Sequence, residues 1–351
     1  MIRFIPDPTA SRFRTAWVSL GAIVFAATLT GFLFLAYGSN PFTVYGTMLS
    51  GTLFDPQGLA EVARRTIPLL LIGIGLTLAF RAQFFNIGAE GQMLMGAIFA
   101  GAVPLFFPLG AVTIPVMLVF GALGGGAWAL LAAWLKQRFS VNEILSTLML
   151  NYVAFYLLIY LIAGPWKGKN VRGFIYTDEF PEFAQMPLIG GTLVHYPTLI
   201  LGIVAAVALQ ILLSKTTLGF ELRVVGENAG AARYTGISVP RIVTIMALIT
   251  GGLAGIAGAA EVSAIHHRLL EPSQISLGYG FTAIIVAWLA RGNPALVLVT
   301  APFMGIILAG GDLLKIVLNM PFRVVDVFSG VMLLSLIASE IFIHNRLKWG
   351  K

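Results

Sequence analysis

Three polar side chains at the entry to an apolar run are the residues of this sequence best suited to chemistry. Residues 84–92 read FFNIGAEGQ, which places Asn86, Glu90 and Gln92 among glycines and apolar residues. A carboxylate inside a lipid bilayer costs about 3 kcal/mol on insertion scales, so such a group usually faces a cavity, pairs with a cation or stays protonated. These three residues are therefore candidates for lining a polar route.

Two interpretations of Glu90 are open on the sequence. In the structural one, its carboxylate is tied to Arg81 or to the backbone amides of a broken helix. In the functional one, Glu90 and its polar neighbours line a translocation pathway, beside a phenylalanine ring that can contact a planar substrate. A proton relay would need more acidic residues in the apolar runs, where Glu90 is almost alone. The predicted pathway residues are Phe85, Asn86, Glu90, Gln92, Tyr279 and Thr282.

The sequence lacks the residues that metal binding, thiol chemistry and nucleophilic catalysis require. The chain has no cysteine, which excludes disulfides, zinc–thiolate sites and iron–sulfur clusters. Neither the GxxxxGKS/T phosphate-binding motif nor the GxSxG nucleophile motif occurs. His266 and His267 lie near Glu261 and Glu271, but adjacent residues point away from each other on a helix. We therefore predict no metal site, no catalytic residues and no cofactor bound directly.

The composition is that of an integral membrane protein. Of 351 residues, 58% are hydrophobic and 11% are charged, whereas soluble domains carry about 25% charged residues. The net charge of +7 comes mostly from Lys and Arg in short flanks of apolar runs, which is the pattern of positive-inside topology. A nucleic-acid partner is therefore not expected.

Hydropathy predicts an all-α polytopic membrane protein with about ten transmembrane helices, since about 20 apolar residues span a bilayer. The first run is too long for a signal-peptide core, so we interpret it as an uncleaved helix. An even number of spans, with basic residues at both ends, places both termini in the cytoplasm. The ten runs are residues 16–37, 59–80, 93–107, 110–135, 144–164, 197–213, 242–260, 275–290, 295–314 and 324–343.

Two segments are candidates for broken or re-entrant half-helices. Residues 275–290 are short for a full span, and residues 85–107 open with glycines and polar groups. Glycine-interrupted segments in the two halves of a chain predict an inverted-repeat transporter with its pathway at the repeat interface. The two segments share no residue-by-residue identity, so the repeat rests on position alone.

A polar, net-basic insert, SKTTLGFELRVVGENAGAARYTGISVPR, separates the two apolar halves. It is either an ordinary loop that keeps two spans in register or a docking element for a cytoplasmic partner. The predicted organisation is a single membrane domain with four parts: a tail at 1–15, a first half at 16–213, the insert at 214–241 and a second half at 242–351.

Within the insert we predict a short helix at 227–235. Gly226 precedes it and Gly236 ends it, as glycine commonly does after a helix. Glu227 near the start and Arg233 near the end both suit the helix dipole. The preceding residues form the stem of the insert, and we expect Arg223 to support that stem.

Four separated motifs together resemble a permease subunit of a bacterial ABC importer. They are FNIGAEGQMLMGA at 85–97, TLGFELRVVGENAGAARYTGI at 217–237, GGLAGIAGAAE at 251–261 and GYGFTAIIVAWLARGNP at 278–294. The family takes in ribose-type sugar and branched-chain amino-acid permeases, and the motifs are most similar to its nucleoside and simple-sugar branch. The resemblance covers nearly the whole chain, with the motifs in the expected order.

The resemblance implies a coupling helix that seats in a groove of a cytoplasmic ATPase. The family pattern is matched at Thr217, Gly219, Arg223, Gly226, Asn228, Ala231, Ala232, Gly236 and Ile237. The expected ATPase contact consists of Gly226, Glu227, Asn228, Ala231, Ala232, Arg233 and Gly236.

The resemblance also implies a function and its partners. The chain would form the translocation pathway for a nucleoside or simple sugar in the bacterial cytoplasmic (inner) membrane, with ATP bound by a separate ATP-binding subunit. A periplasmic or lipid-anchored binding protein would deliver the substrate near residues 165–196 and 38–58. A second, different permease chain would complete a heterodimer.

Two other classes compete with this interpretation. An ion-coupled secondary transporter or a channel acting without an ATPase predicts coupling-ion ligands near the middle of the membrane. A membrane scaffold predicts neither polar midplane groups nor a docking motif. The insert, in a chain without a phosphate-binding motif, favours energy supplied by a partner.

Overall fold

A computed structural model describes residues 2–6, 12–107, 109–169, 173–317 and 345–349, and the pairs 327–328, 330–331, 334–335 and 338–339. The chain forms two compact units, one made of Met1–Val62 with Ile306–Lys351 and the other of Ala63–Gly305. All the residues predicted to form the pathway and the coupling contact belong to the second unit.

The first unit combines helices with a short sheet. Its elements are strand β1 (Ile2–Pro6), helices α1 (Arg12–Ala36) and α2 (Pro41–Leu53), the start of α3 (Pro56–Arg81), the end of α13 (Pro294–Val317) and strand β2 (Asn345–Trp349). The strands pair antiparallel, with Ile2 opposite Trp349, and this ladder is an addition to the predicted all-helical fold. The side chain of Asn40 accepts a hydrogen bond from the amide of Phe42 and so starts α2, at an angle of 114° to α1.

The second unit consists of helices and connecting loops in its described residues. After the remainder of α3 its helices are α4 (Ala89–Phe106), α5 (Thr113–Phe139), α6 (Glu143–Ala163), α7 (Tyr196–Lys215), α8 (Thr217–Glu227), α9 (Ala229–Tyr234), α10 (Val239–Ala260), α11 (Pro272–Ser276), α12 (Tyr279–Leu289) and the start of α13. Short 3-10 turns occur at Gly110–Val112 and Glu182–Ala184, and a π-helical turn at Glu261–His266 follows α10.

Seven helices in the described part of the chain are long and apolar enough to cross a membrane, or up to eight if the bent α1–α2 pair is one span. The predicted ten spans are not confirmed. Three of the predicted runs are not among the seven. The run at 16–37 belongs to the bent α1–α2 pair. Residues 275–290 contain the helix break, and α12 has only 11 residues, or about 16 Å at 1.5 Å per residue. Most of the run at 324–343 lies outside the described residues.

Glycines set the spacing of three helices in the second unit. A Cβ on Gly255 of α10 would lie 2.0 Å from the carbonyl oxygen of Gly121 in α5, and one on Gly96 of α4 would lie 2.2 Å from the Cα of Gly255. Backbones this close leave room only for hydrogen, and small residues at such contacts let helices associate inside membranes. The GGLAGIAGAAE motif is therefore the packing stripe of α10.

The chain breaks between α10 and α12. The π-helical turn ends at His267, which has a left-handed backbone (φ 51°), and Leu277 (φ 45°) and Gly278 (φ 74°) separate α11 from α12. Left-handed conformations stop a helix, and they are uncommon for a branched residue such as leucine. The expected break in 275–290 is thus present, whereas α4 is one helix of 18 residues. The inverted repeat stays a prediction.

Candidate translocation and coupling site

Buried amides fix the loop that precedes α4. Asn86 Nδ2 donates to Gln92 Oε1 at 2.9 Å, and Gln92 Nε2 donates to Asn86 Oδ1 at 2.9 Å. Asn86 Nδ2 also donates to Thr250 Oγ1 of α10 at 3.3 Å, and the amide of Gly88 donates to Asn86 Oδ1 at 2.9 Å. Both side chains are buried, and their hydrogen bonds compensate the cost of that burial. In this arrangement the two predicted pathway residues hold the loop against α10.

Helix α6 binds the same loop through two side chains that the sequence analysis missed. Thr147 Oγ1 accepts from the amide of Ile87 at 3.1 Å. Asn151 Oδ1 accepts from the amide of Gly91 at 2.8 Å, and its Nδ2 donates to the carbonyl of Ile87 at 3.0 Å. Thr147 and Asn151 are four residues apart, so they share one face of α6. Two polar residues at that spacing in an apolar run were the signal available in the sequence.

Glu90 binds the start of α12. Its Oε2 accepts a hydrogen bond from the amide of Gly280 at 2.8 Å. Ser276 and the amides of Gly278 and Phe281 lie beside the same carboxylate, and the hydroxyl of Ser276 donates to the carbonyl of Pro272 at 3.0 Å. The first amides of a helix have no partners within the helix, and the positive end of its dipole attracts anions. Glu90 therefore supplies from α4 the cap that α12 lacks in its own sequence.

The two helix starts meet backbone to backbone. A Cβ on Gly280 would lie 2.3 Å from the amide nitrogen of Glu90, so only glycine fits there. Of the partners considered for Glu90, the amides of a broken helix are the ones present. Arg81 donates instead from Nη1 to the carbonyl of Gly292 at 3.2 Å. The assignment of Glu90 to the pathway stays a prediction.

The remaining pathway candidates lie around α12. Tyr279 is fully buried and Thr282 is half-buried, and both belong to the first turns of α12. Phe85 is half-buried, and its ring lies 5.9 Å from that of Phe80, which in turn lies 5.9 Å from that of Trp288 in α12. Phe85 thus ends a row of aromatic rings that runs from the loop to α12.

The insert contains two helices. Helix α9 (Ala229–Tyr234) lies within the predicted helix at 227–235, and α8 (Thr217–Glu227) is an additional helix in the predicted stem. Thr216 caps α8 by accepting from the amide of Gly219 at 3.2 Å. Asn228 ends α8 and caps α9, since its Oδ1 accepts from the amides of Gly230 and Ala231 at 2.9 and 3.0 Å. An asparagine that caps one helix interrupts the preceding one, because its backbone is extended there (φ −157°).

The division of the insert into α8 and α9 changes the role predicted for Glu227. Glu227 is the last residue of α8, where a negative charge opposes the helix dipole, whereas Arg233 in the last turn of α9 suits it. Gly236 follows α9 with a left-handed backbone (φ 84°), as a glycine after a helix does. Arg223 Nη1 donates to the carbonyl of Leu213 at 2.9 Å and so joins α8 to the end of α7.

The predicted coupling residues differ in exposure. Ala232 is fully buried, in a cluster with Leu222 and Val225 of α8. Gly226 is half-buried, and the exposed members are Glu227, Asn228, Ala231, Arg233 and Gly236. Tyr234, which was not predicted, is 95% exposed. An aromatic residue in a polar insert was the sequence signal for it.

The three histidines in the described part of the chain, His195, His266 and His267, each lie close to a polar group of the fold. His267 Nδ1 lies 2.9 Å from the carbonyl of Ser263, and His266 Nε2 lies 3.9 Å from a carboxylate oxygen of Glu261. His195 precedes α7, is fully buried and contacts the hydroxyl of Thr198 through Nδ1. Burial, and secondarily the positive charge of Arg64, lowers the pKa of His195 to about 4. His195 is therefore neutral at physiological pH.

Comparison with known proteins identifies the family. The model of the family described as "Branched-chain amino acid transport system / permease component" matches residues 58–337. The chain belongs to this permease family. The matched range contains the α4–α12 contact and the insert at 214–241, which is the candidate coupling segment. The resemblance inferred from the four motifs is confirmed. The chain is a membrane-embedded transport subunit.

Three relatives of the permease align over most of their length. The glucose ABC transporter permease protein TsgB13 of Haloferax volcanii is 33% identical over 94% of this chain and 90% of its own. The guanosine ABC transporter permease protein NupP of Bacillus subtilis is 30% identical over 94% and 96%. The nucleoside ABC transporter permease protein NupB of Lactococcus lactis is 29% identical over 86% and 85%.

Proposed function

We propose that the permease is the membrane-spanning subunit of an ATP-driven importer that moves a nucleoside or a simple sugar. The observation that carries the proposal is the similarity, over at least 85% of both chains, to permeases named for glucose, guanosine and nucleosides. These substrates share an uncharged ring that bears several hydroxyl groups. We infer that the transported molecule belongs to this class.

The energy source in this proposal is a separate ATP-binding subunit. The sequence contains no phosphate-binding motif, so ATP has to be bound by a partner. Helix α9 offers that partner the exposed Ala231, Arg233 and Tyr234. Tyrosine and arginine are enriched among the residues that dominate protein–protein binding energy. The buried Ala232 and the cap formed by Asn228 would fix the direction in which α9 presents them.

The other partners occupy the remaining surfaces. The α8–α9 side and both termini face the cytoplasm, and a second, different permease chain completes the pathway in the bacterial cytoplasmic membrane. A periplasmic or lipid-anchored binding protein docks on the opposite side, near residues 165–196. Hydrogen bonds from the amides of Phe180 and Met186 to the carbonyls of His267 and Ser263, at 2.6 and 3.1 Å, support this assignment because they give that loop a fixed shape.

The translocation pathway in this proposal runs beside the α4–α12 junction. The half-buried Phe85 and Thr282 are placed on its surface, and the buried Asn86, Gln92 and Tyr279 form the wall behind them. Broken helices mark substrate sites in transporters, because their ends expose backbone groups away from the lipid. Glu90, at the start of α12, contributes by holding that break in place.

Reconstitution tests the proposal. The permease, its partner permease and the ATP-binding subunit are purified together and placed in proteoliposomes with the binding protein. Uptake of labelled guanosine or glucose is expected with ATP on the cytoplasmic side, and none with a non-hydrolysable analogue. Uptake driven by an ion gradient without the ATP-binding subunit would instead establish a secondary transporter or a channel.

A further inference from the structure

Helix α12 is contacted by a charged side chain from another helix at its start, and the turn that follows it is contacted by a second. At its start the carboxylate of Glu90 in α4 accepts from the amide of Gly280 at 2.8 Å. At its end the guanidinium of Arg81 in α3 donates to the carbonyl of Gly292, in the turn that follows α12, at 3.2 Å. An anion at the positive end of a helix and a cation at its negative end both stabilise its dipole. Helices α3 and α4 therefore fix the position of α12 at both ends.

Arg81 is also the point where the coupling segment contacts α3. A Cβ on Gly226 of α8 would lie 1.9 Å from the carbonyl oxygen of Arg81, which means that the two backbones touch. Packed backbones do not compress, so a displacement of α8 toward α3 moves Arg81 with it. One residue thus contacts α8 through its backbone and the end of α12 through its side chain.

We infer that Arg81 is a positioning residue that transmits movement of the coupling segment to the broken helix α12. The inference rests on the proposed function, in which an ATP-binding subunit moves α8 and α9. The displacement reaches the end of α12 directly, through the guanidinium. It reaches the start of α12 through the connection at 82–88, which leads from Arg81 to α4 and Glu90. Both ends then move together, so that α12 shifts as one body.

The side chain of Arg81 is suited to this role. A Cβ added to Gly292 would lie 3.7 Å from the Cβ and Cδ of Arg81. The aliphatic part of the Arg81 side chain therefore packs closely along the turn after α12. Gly292 has a left-handed backbone (φ 67°) in the turn whose carbonyl accepts from the guanidinium. A shorter side chain keeps the backbone contact with Gly226 and loses the contact with the turn after α12, together with the charge interactions with Arg223 and Glu227 of α8.

Transport coupling is the property that tests the inference. Arg81→Ala, Arg81→Lys and the control Arg241→Ala, which removes an exposed arginine at the start of α10, are each purified with the ATP-binding subunit. All three are expected to retain that subunit. Arg81→Ala is expected to lower the amount of substrate moved per ATP hydrolysed by at least about tenfold. This is the effect expected from the loss of one charge-assisted hydrogen bond. Arg81→Lys is expected to lie between Arg81→Ala and the wild type.

A labelling experiment reads the position of α12 without measuring transport. Because the chain has no cysteine, Phe281→Cys, at a 44% exposed position of α12, creates one thiol for maleimide. Its labelling rate is expected to change when ATP binds in the wild-type background and to stay constant with Arg81→Ala. If Arg81→Ala is not recovered from membranes, Arg81→Lys serves in the same assay, with a reduced change expected.

The outcomes separate this inference from the proposed function. The inference is overturned if the Arg81→Ala complex moves as much substrate per ATP as the Arg241→Ala complex and also shows the same ATP-dependent labelling. The proposed importer function would remain in that case. If Arg81→Ala is not recovered, wild-type behaviour of Arg81→Lys in both assays would likewise overturn it. A wild-type permease that neither retains the ATP-binding subunit nor shows ATP-dependent uptake would overturn the proposed function itself, and the inference with it.

Discussion

The carboxylate of Glu90 and the backbone amide of Gly280, which are 190 residues apart in sequence, are joined by a hydrogen bond of 2.8 Å. This contact replaces a local cap at the start of a helix that begins in the interior of the second unit. It explains why an acidic residue is present at the entry to an apolar run, and it connects two helices that the sequence shows only as separate motifs.

Glu90→Gln is expected to destabilise the permease. Glutamine keeps an acceptor for one amide but loses the charge and turns a donor toward the other amides, which we expect to cost about 1–2 kcal/mol. The measurement is the apparent melting temperature in detergent, with Glu182→Gln, an exposed carboxylate, as the control. An unchanged melting temperature together with slowed uptake would show that Glu90 acts in the pathway rather than as a cap.

Ala231→Glu and Ala232→Glu are expected to act differently although the residues are adjacent. Ala232 is fully buried and Ala231 is exposed, so Ala232→Glu places a charge in an apolar cluster and costs several kcal/mol of stability. Ala231→Glu and Tyr234→Ala should leave the fold intact and weaken co-purification of the ATP-binding subunit. Size-exclusion profiles and pull-downs measure the two effects. If Ala231→Glu and Tyr234→Ala retain the ATP-binding subunit as well as the wild type does, the contact with that subunit does not involve α9.

Gly255→Ala is expected to be far more damaging than Gly126→Ala. A Cβ at 255 would lie 2.0 Å from a carbonyl oxygen of α5, whereas the nearest atom to a Cβ at 126 is 3.6 Å away. Helices α5 and α10 would have to separate for the first substitution, at a cost on the order of 1–3 kcal/mol or more. The yield of folded protein from membranes and its melting temperature provide the comparison. Similar values for the two variants would show that the helices can separate at little cost.

His195 is expected to make stability depend on pH. Its folded-state pKa is lowered to about 4 from 6.5 by burial and by Arg64, so the unfolded chain binds a proton that the folded chain excludes. The stabilisation is complete above pH 6.5 and is lost as the pH falls toward 4, to a total of about 3 kcal/mol. His195→Gln should remove this component, so that its melting temperature falls less between pH 7 and 5 than that of the wild type. Parallel pH profiles for the two proteins would contradict the assignment.

The sequence predicted the class, the helical fold, the break in 275–290 and a short helix within the insert at 214–241. Each of these depends on local signals: apolar runs, glycines and a concentration of charge. The number of spans is not confirmed, and in the run at 275–290 this is because hydropathy measures the length of an apolar run and does not detect the left-handed residues Leu277 and Gly278 that interrupt it. The helix predicted at 227–235 begins two residues late, because Asn228 was interpreted as part of the helix and is its cap, and the helix α8 that precedes it was not predicted.

The contacts between residues that are distant in the sequence could not be predicted from it. Nothing near Arg81 indicates that its carbonyl touches Gly226 or that its guanidinium binds the turn at Gly292. The amides of Asn86 and Gln92 satisfy each other, although their polarity alone suggested free groups facing a substrate. A polar residue in an apolar run therefore indicates an important position, and only the geometry shows whether that residue faces a ligand or another part of the chain.

The backbone contacts among α4, α5 and α10 limit where a solute can travel. Where Gly121, Gly96 and Gly255 meet, the helices have no space for an added methyl group, so a ring the size of a sugar has no passage between them. In the proposed importer, we therefore expect the route across the membrane to follow the outer flank of the contact among α4, α5 and α10.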